Sequence, residues 1–413
     1  MTREEIDTVI IGGGQAGLAM SYSLAQFGRE HVILERQRIA ERWRSERWDS
    51  LTFQFPNWTM QLPGYPYQGT DPEGFAHRDE VVHFIESYAT FIQAPVRCGV
   101  SVTSLSMEPG SARFQIETDS ASITAANVVI ATGPYQQPAI PAVIGEMNGI
   151  FQVHSSRYRN PDGLPPGAVL VVGSGASGCQ ITEDLLRCGR RVYLAVGAHR
   201  RVPRRYRGHD FAFWEFALGE FDRTVDQRPA ERVSPLLTGV GGGHDINLRR
   251  LAYEGVVLLG RLLAGEQSKL AFSSDLRATL LRGDQWFEQF VTAADAYAQR
   301  NGLDLPDDDV ARERMQDPKE ASFPIQDLDL KAAGISSILW ATGFRHNFGW
   351  VHVPIFADGD EQLRREPVHA RGVTRIPGLY LLGLPWLYKR KSSLMAGVGE
   401  DAAFLANHIA TRN

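Results

Sequence analysis

Cysteine is scarce in this 413-residue chain: Cys98, Cys179 and Cys188 are odd in number, widely spaced, and form no Cys-x-x-Cys. That excludes a disulfide framework and a thiol pair working by redox exchange, and predicts three buried small apolar residues instead. Long apolar runs are missing too. Spanning a bilayer takes about 20 residues, whereas the best candidate, 256–263, is short and interrupted by Gly260 and Arg261. There is no excess of basic charge. Lys and Arg number 43 against 48 Asp and Glu, a net charge of −5, so nothing global favours nucleic acid or an acidic membrane. The chain opens Met-Thr-Arg-Glu-Glu and enters a strand at once, which leaves no room for a signal peptide and predicts a cytoplasmic protein. What remains, 43% hydrophobic and 22% charged residues, is the composition of a folded protein whose length predicts two domains.

An internal repeat organises the chain. Residues 7–17 and 168–178 each run from β-branched apolar residues through a glycine loop into a helix-like segment, about 160 residues apart. Between them, 100–106, 113–118 and 122–130 read as a strand meander. The last of these ends Ala131-Thr132-Gly133, and a matching strand after the second unit ends Ala341-Thr342-Gly343. The strand signal fades from 204 to about 319, where 248–263 and 276–300 carry helical spacing. The segment 378–383 returns to a strand, and a helix from about 398 to 411 closes the chain. The expected fold class is α/β, with two Rossmann-like dinucleotide-binding domains, the second carrying a mainly helical insertion. The first domain spans 1–160 and resumes at 331–413. The second spans 165–330, with its insertion at about 205–320.

The first fingerprint is Gly12-x-Gly14-x-x-Gly17. The first glycine permits a tight turn, the second lets backbone approach a pyrophosphate, and the third packs helix on strand. Glu35, at the end of the next strand, has the spacing of a carboxylate that accepts hydrogen bonds from a ribose, which favours FAD or NAD over NADP. The second is Gly173-x-Gly175-x-x-Gly178, opening a helix with Ser174, Ala176 and Ser177 in its loop. Its following strand ends without an acid, and His199, Arg200, Arg201, Arg204, Arg205 and Arg207 come next. Arg200 or Arg201 is expected to hold the 2′-phosphate of NADPH, because a doubly charged phosphate suits arginine's fork. The other use of this run is a solvated basic face.

Two glycine fingerprints flanking Gly-Ile-Phe-Gln-Val-His-Ser-Ser-Arg-Tyr at 149–158 resemble the flavin-containing monooxygenase superfamily, whose members include Baeyer–Villiger and N-hydroxylating monooxygenases. His154 and Tyr158 match the end of the superfamily signature. Its front differs, reading Met147-x-Gly149 with five steps to His154. The resemblance extends through 42–51 and 62–66, Ala341-Thr342-Gly343-Phe344-Arg345, and 397–402, leaving out only 205–320.

The resemblance implies that NADPH reduces FAD, and that reduced flavin takes up dioxygen as a C4a-(hydro)peroxyflavin and delivers one oxygen atom to a small organic substrate. N or S oxygenation, Baeyer–Villiger insertion and keto-acid decarboxylation all remain open, as does a reductase passing electrons to another acceptor. It implies catalytic roles for Gln54, His154 and Arg345. Gln54 would stand beside the flavin, or be a plain strand-edge residue. His154 would support NADP⁺ or link the domains. Cofactor contacts are implied for Gln15, Ala16, Arg36, Trp43, Val102, Ala131, Thr132, Gly133, Thr342, Gly343, Gly383 and Asp401, besides the fingerprint residues. The aromatic run 211–216 would wall the substrate cavity, form a homodimer contact or pack a helix core. The glycine run 239–243 reads as a substrate loop or a hinge.

Overall fold

The computed structural model describes residues 3–142, 147, 149–231, 233–357 and 366–412. Two parallel sheets dominate it. The first is centred on the strand Arg3–Ile11, whose Ile6, Val9, Ile10 and Ile11 are buried. Burial on both faces is what a near-continuous apolar run predicts for the middle of a parallel sheet. His31–Glu35 lies on one side of it, followed by Val96–Cys98, and Ser122–Ile130 and Leu379–Leu381 lie on the other, all parallel. The expected meander is present: Val102–Met107 and Phe114–Thr118 join Ser122–Ile130 as antiparallel neighbours. The helices Gln15–Gln26 and Met395–Thr411 pack against each other, so the C-terminal segment closes the first unit.

The second sheet runs in the order Val257–Leu259, Val192–Ala195, Ala168–Val172, Ile335–Trp340, Phe151–His154, again all parallel. Here the expected domain boundaries shift. Phe151–His154 and Ile335–Trp340 pair within this sheet, so the second unit takes in strands on both sides of the expected 165–330. The short linker strands Gln137–Pro138 and Phe344–Arg345 pair with each other.

The helix expected over 248–263 covers only Leu248–Tyr253. Val257–Leu259 is instead the edge strand beside Val192–Ala195, and Leu262–Glu266 joins an antiparallel sheet with Lys269–Phe272 and Asp327–Asp329. A short apolar run fits either period, and an open sheet edge decided between them. The long helix Leu276–Arg300 holds as expected. Its Phe287, Phe290, Val291 and Ala294 form a separate core with Phe211, Trp214 and Tyr206. Of the cysteines, only Cys179 is buried; Cys98 and Cys188 are exposed at element ends. Among the described residues, no helix is long and apolar enough to cross a membrane.

Candidate functional site

The two fingerprints build the same cradle. Gly12 sits at φ 117°, and a Cβ there would stand 2.6 Å from the Ala131 carbonyl oxygen; Gly173 sits at φ 106°, with the Ala341 oxygen at 2.5 Å. The Ala-Thr-Gly ends are therefore what the first glycine of each unit packs against. A Cβ on Gly17 would lie 1.9 Å from the Gly12 carbonyl oxygen, and one on Gly178 lies as close to Gly173. The middle glycines differ in kind, because nothing lies within 4 Å of a Cβ on Gly14 or Gly175. Each caps a 12-residue helix with no acid in its first turn, so free backbone N–H groups and the positive end of the helix face that open space. Such an arrangement could hold a pyrophosphate.

Both cradles open on one cleft of about 830 Å³. From the first unit it is lined by Gly12, Gly14, Gln15, Ala16, Glu35, Arg36, Trp43, Gln54, Val102, Ala131, Thr132, Gly133 and Gly383, and from the second by Gly175, Ala176, Ser177 and Gly343. The Glu35 carboxylate is fixed by two backbone donors, Gly13 N at 2.7 Å and Gln37 N at 2.9 Å. A Cβ on Gly383 would meet that of Ala16 at 2.6 Å, so the C-terminal strand end lies directly on the first helix. Gln15 Nε2 donates to the Ser393 carbonyl at 2.7 Å. The last helix begins at Met395, three residues before the expected start, which brings Ser393, Leu394, Met395 and Ala396 to the cleft wall.

Other expected site residues stand apart from the cleft. Gly17, Gly173 and Gly178 pack behind the turns. Ser174 is buried, its hydroxyl accepting from Gly197 N at 3.0 Å. Thr342 donates to the Ala139 carbonyl within the linkers, and Arg345 is exposed on the linker pair. Asp401 is buried against Arg371 at 3.2 Å, and burial raises its carboxyl above the usual range.

His154 is a joint. Its Nε2 lies 3.0 Å from the Gly343 carbonyl and its Nδ1 3.0 Å from Ser156 Oγ, with the ring edge-on to Phe344 at 4.9 Å. Burial lowers its pKa, and in the neutral ring Nε2 carries the proton because a carbonyl can only accept. Both nitrogens are occupied by groups beside the second sheet, so the ring ties that sheet's end to the Gly343 turn and has no nitrogen free for the cleft. Tyr158 is a joint as well. Its hydroxyl donates to Asp184 at 2.7 Å, while Ser50 from the first unit takes the other Asp184 oxygen at 2.6 Å.

The arginine run departs most from expectation. Arg200 Nη2 donates to Glu215 at 2.9 Å, and Arg201 pairs with Asp284 at 3.2 Å with its guanidinium 4.2 Å over Phe287. Neither lines the cleft. Arg204 makes two 2.9 Å bonds to Asp210 and a third, at 2.8 Å, to the Gln54 carbonyl. The carboxylates that capture Arg200, Arg201 and Arg204 come from the insertion, up to 83 residues away in sequence. The Gln54 side chain donates to the Pro235 carbonyl at 3.0 Å, so it faces the cleft while tied to the insertion. The glycine run packs on the same stretch: a Cβ on Gly239 would lie 2.5 Å from the Phe53 carbonyl oxygen.

Several lining residues carried no sequence signal, among them Tyr135, Phe55, Phe221 and Lys391. Phe211 and Trp214 of the aromatic run enter the insertion's own core, while Phe216 reaches the cleft.

Two dinucleotide cradles meeting at one cleft define the class of protein as an oxidoreductase with paired nucleotide-binding domains. A family model described as pyridine nucleotide-disulphide oxidoreductase matches residues 9–208. The uncharacterized oxidoreductase CzcO-like of Geobacillus kaustophilus is 33% identical over 407 residues, 98% of each chain. The chain belongs to this CzcO-like oxidoreductase family. The probable indole-3-pyruvate monooxygenase YUCCA1 of Arabidopsis thaliana is 31% identical over 192 residues, 46% of each chain. The fold matches that of the flavin-containing monooxygenase from Stenotrophomonas maltophilia at TM-score 0.67, with 19% identity and 98% of each chain covered.

Proposed function

We propose that the chain is an NADPH-dependent flavin monooxygenase acting on a small organic substrate. The observation that carries this is the opening of both cradles on one cleft, so that two dinucleotides bound there bring their redox rings together. FAD would occupy the first cradle, its pyrophosphate on Gly14 and the helix start at Gln15, and its ribose on Glu35, whose carboxylate is already oriented. The pyridine nucleotide would lie on Gly175, Ala176 and Ser177. No acid follows Ala195 where the first unit has Glu35, so nothing there repels a 2′-phosphate. Bound FAD would supply the two-electron transfer and the reaction with dioxygen, and the protein would orient the two rings. The balance is NADPH, a proton, dioxygen and substrate going to NADP⁺, water and the oxygenated product.

The second reading, a reductase with a disulfide acceptor, is favoured by the description of the matching family model. Against it, none of the three cysteines lines the cleft. Turnover under ¹⁸O₂ separates the two. The expected result is one labelled atom in the organic product for each NADPH consumed. Hydrogen peroxide as the sole oxygen product across amines, sulfides and ketones overturns the proposal, as does a purified chain that cannot take up flavin.

A further inference from the structure

We infer that the substrate is an uncharged aromatic molecule, such as an aryl sulfide or aryl ketone, seated against the wall that Phe55 of the first unit forms with Phe216 and Phe221 of the insertion. This rests on the monooxygenase reading. All three residues line the cleft, together with Phe53 and Lys391. Their rings form an edge-to-face series: Phe53 to Phe55 at 6.5 Å and 81°, Phe55 to Phe221 at 5.9 Å and 89°, Phe221 to Phe216 at 4.7 Å and 61°. Such a wall presents ring edges and faces together, which is what another aromatic ring packs against best.

Charge on the same wall is already balanced. Lys391 Nζ lies 3.0 Å from Asp222 and also pairs with Glu400, and Lys389 meets both acids at 2.8 Å. Arg390 is held by the fully buried Glu215 and by Glu220, its guanidinium 5.4 Å from the Phe221 ring. A carboxylate entering here would lose its water and find every cation taken, which is costly. A different cation, Arg47, has no ion pair within 4.0 Å among the described residues, but it lies beyond Trp43. Its guanidinium is 5.6 Å from that ring, which itself stands 6.2 Å from Phe53.

The wall is also fixed in place. Val225 N donates to the Tyr388 carbonyl at 2.8 Å and Arg390 N to the Arg223 carbonyl at 2.9 Å, so the insertion is stitched to the C-terminal segment beside the rings. Half of the substrate site thus comes from the region outside the nucleotide-binding repeats, which gives the insertion its role.

The test is a matched pair, thioanisole and 4-(methylthio)benzoate, which differ by one carboxylate. With the flavin-loaded enzyme, kcat/KM for thioanisole is expected to exceed that of the acid by at least about tenfold, or roughly 1.4 kcal/mol. Phe221→Ala is expected to raise the thioanisole KM about tenfold with a smaller change in kcat, and Phe221→Tyr to recover most of the loss; Phe216→Leu serves if the alanine variant does not retain flavin. Equal or better use of the acid overturns the inference, as does an unchanged KM in a flavin-loaded Phe221→Ala. If neither compound is oxygenated, the ¹⁸O₂ experiment decides the monooxygenase reading, while the pocket is still read by titrating oxidised enzyme and following the flavin spectrum. Perturbation by thioanisole at concentrations where the acid has no effect supports the inference, and the reverse order overturns it.

Discussion

The two glycine units superpose in their logic and part company one strand later. In both, the first glycine packs on an Ala-Thr-Gly carbonyl, the third closes helix on strand, and the middle one faces open space. After the next strand the first unit presents Glu35, whose oxygens are held by backbone donors only two and 22 residues away. The second presents His199, Arg200 and Arg201, and the insertion takes all three inward: His199 packs against Gly283 and the arginines pair with Glu215 and Asp284. A phosphate cradle is made by neighbours in sequence, whereas what an arginine binds depends on which acid folding delivers to it.

The comparison breaks most visibly at the middle glycines. Gly14→Val and Gly175→Val each fill space that the fold leaves empty, so both should fold and each should disable one nucleotide. The first is expected to lose flavin, with absorbance per chain falling at least about tenfold; the second should keep its colour and lose NADPH-driven reduction by a similar factor. Loss of flavin from both variants, or from neither, would dissolve the assignment of one cradle to each dinucleotide.

A smaller effect separates ion pairing from phosphate binding. Arg200→Ala with Arg201→Ala removes one cation from each of Glu215 and Asp284, which keep Arg390 and Arg249 as partners, so the loss stays below that of an unpaired buried charge. The urea midpoint should fall, and the KM values for NADPH and NADH should move together. A rise confined to NADPH would restore the 2′-phosphate to these arginines.

The third effect belongs to His199, which burial lowers to about 4 from 6.5. A histidine kept neutral by the fold stabilises fully above its unfolded pKa, and that stability is lost as pH falls from 6.5 toward 4. At 1.36 kcal/mol per pH unit the loss is at most about 3 kcal/mol. Melting temperature measured against pH should drop through this window, and His199→Asn should flatten the drop. An identical profile in the variant would assign the acid sensitivity to other groups.

Much of the frame was legible in the chain itself. Period, glycine spacing and the repeated Ala-Thr-Gly located both sheets, both turns, Glu35 and the closing helix. The strand at 257–259 was not legible, because three apolar residues after a helix carry no period of their own until Val192–Ala195 offers an edge. His154 and Tyr158 were visible as a signature, but what they bond depends on Gly343 and Asp184, 189 and 26 residues away.

What the sequence determined alone is the pair of nucleotide cradles, because a tight turn, an open Cα and a helix start are local properties of a dozen residues. What only tertiary structure decided is the rest of the cleft. The arginines turned inward because buried charge must find a partner, and the Phe55–Phe216–Phe221 wall formed because an insertion with its own core was stitched to the chain's far end. Partners such as Arg201 and Asp284, 83 residues apart, or Phe55 and Phe221, on opposite sides of the second fingerprint, leave no mark on local pattern, and only folding brings them into contact.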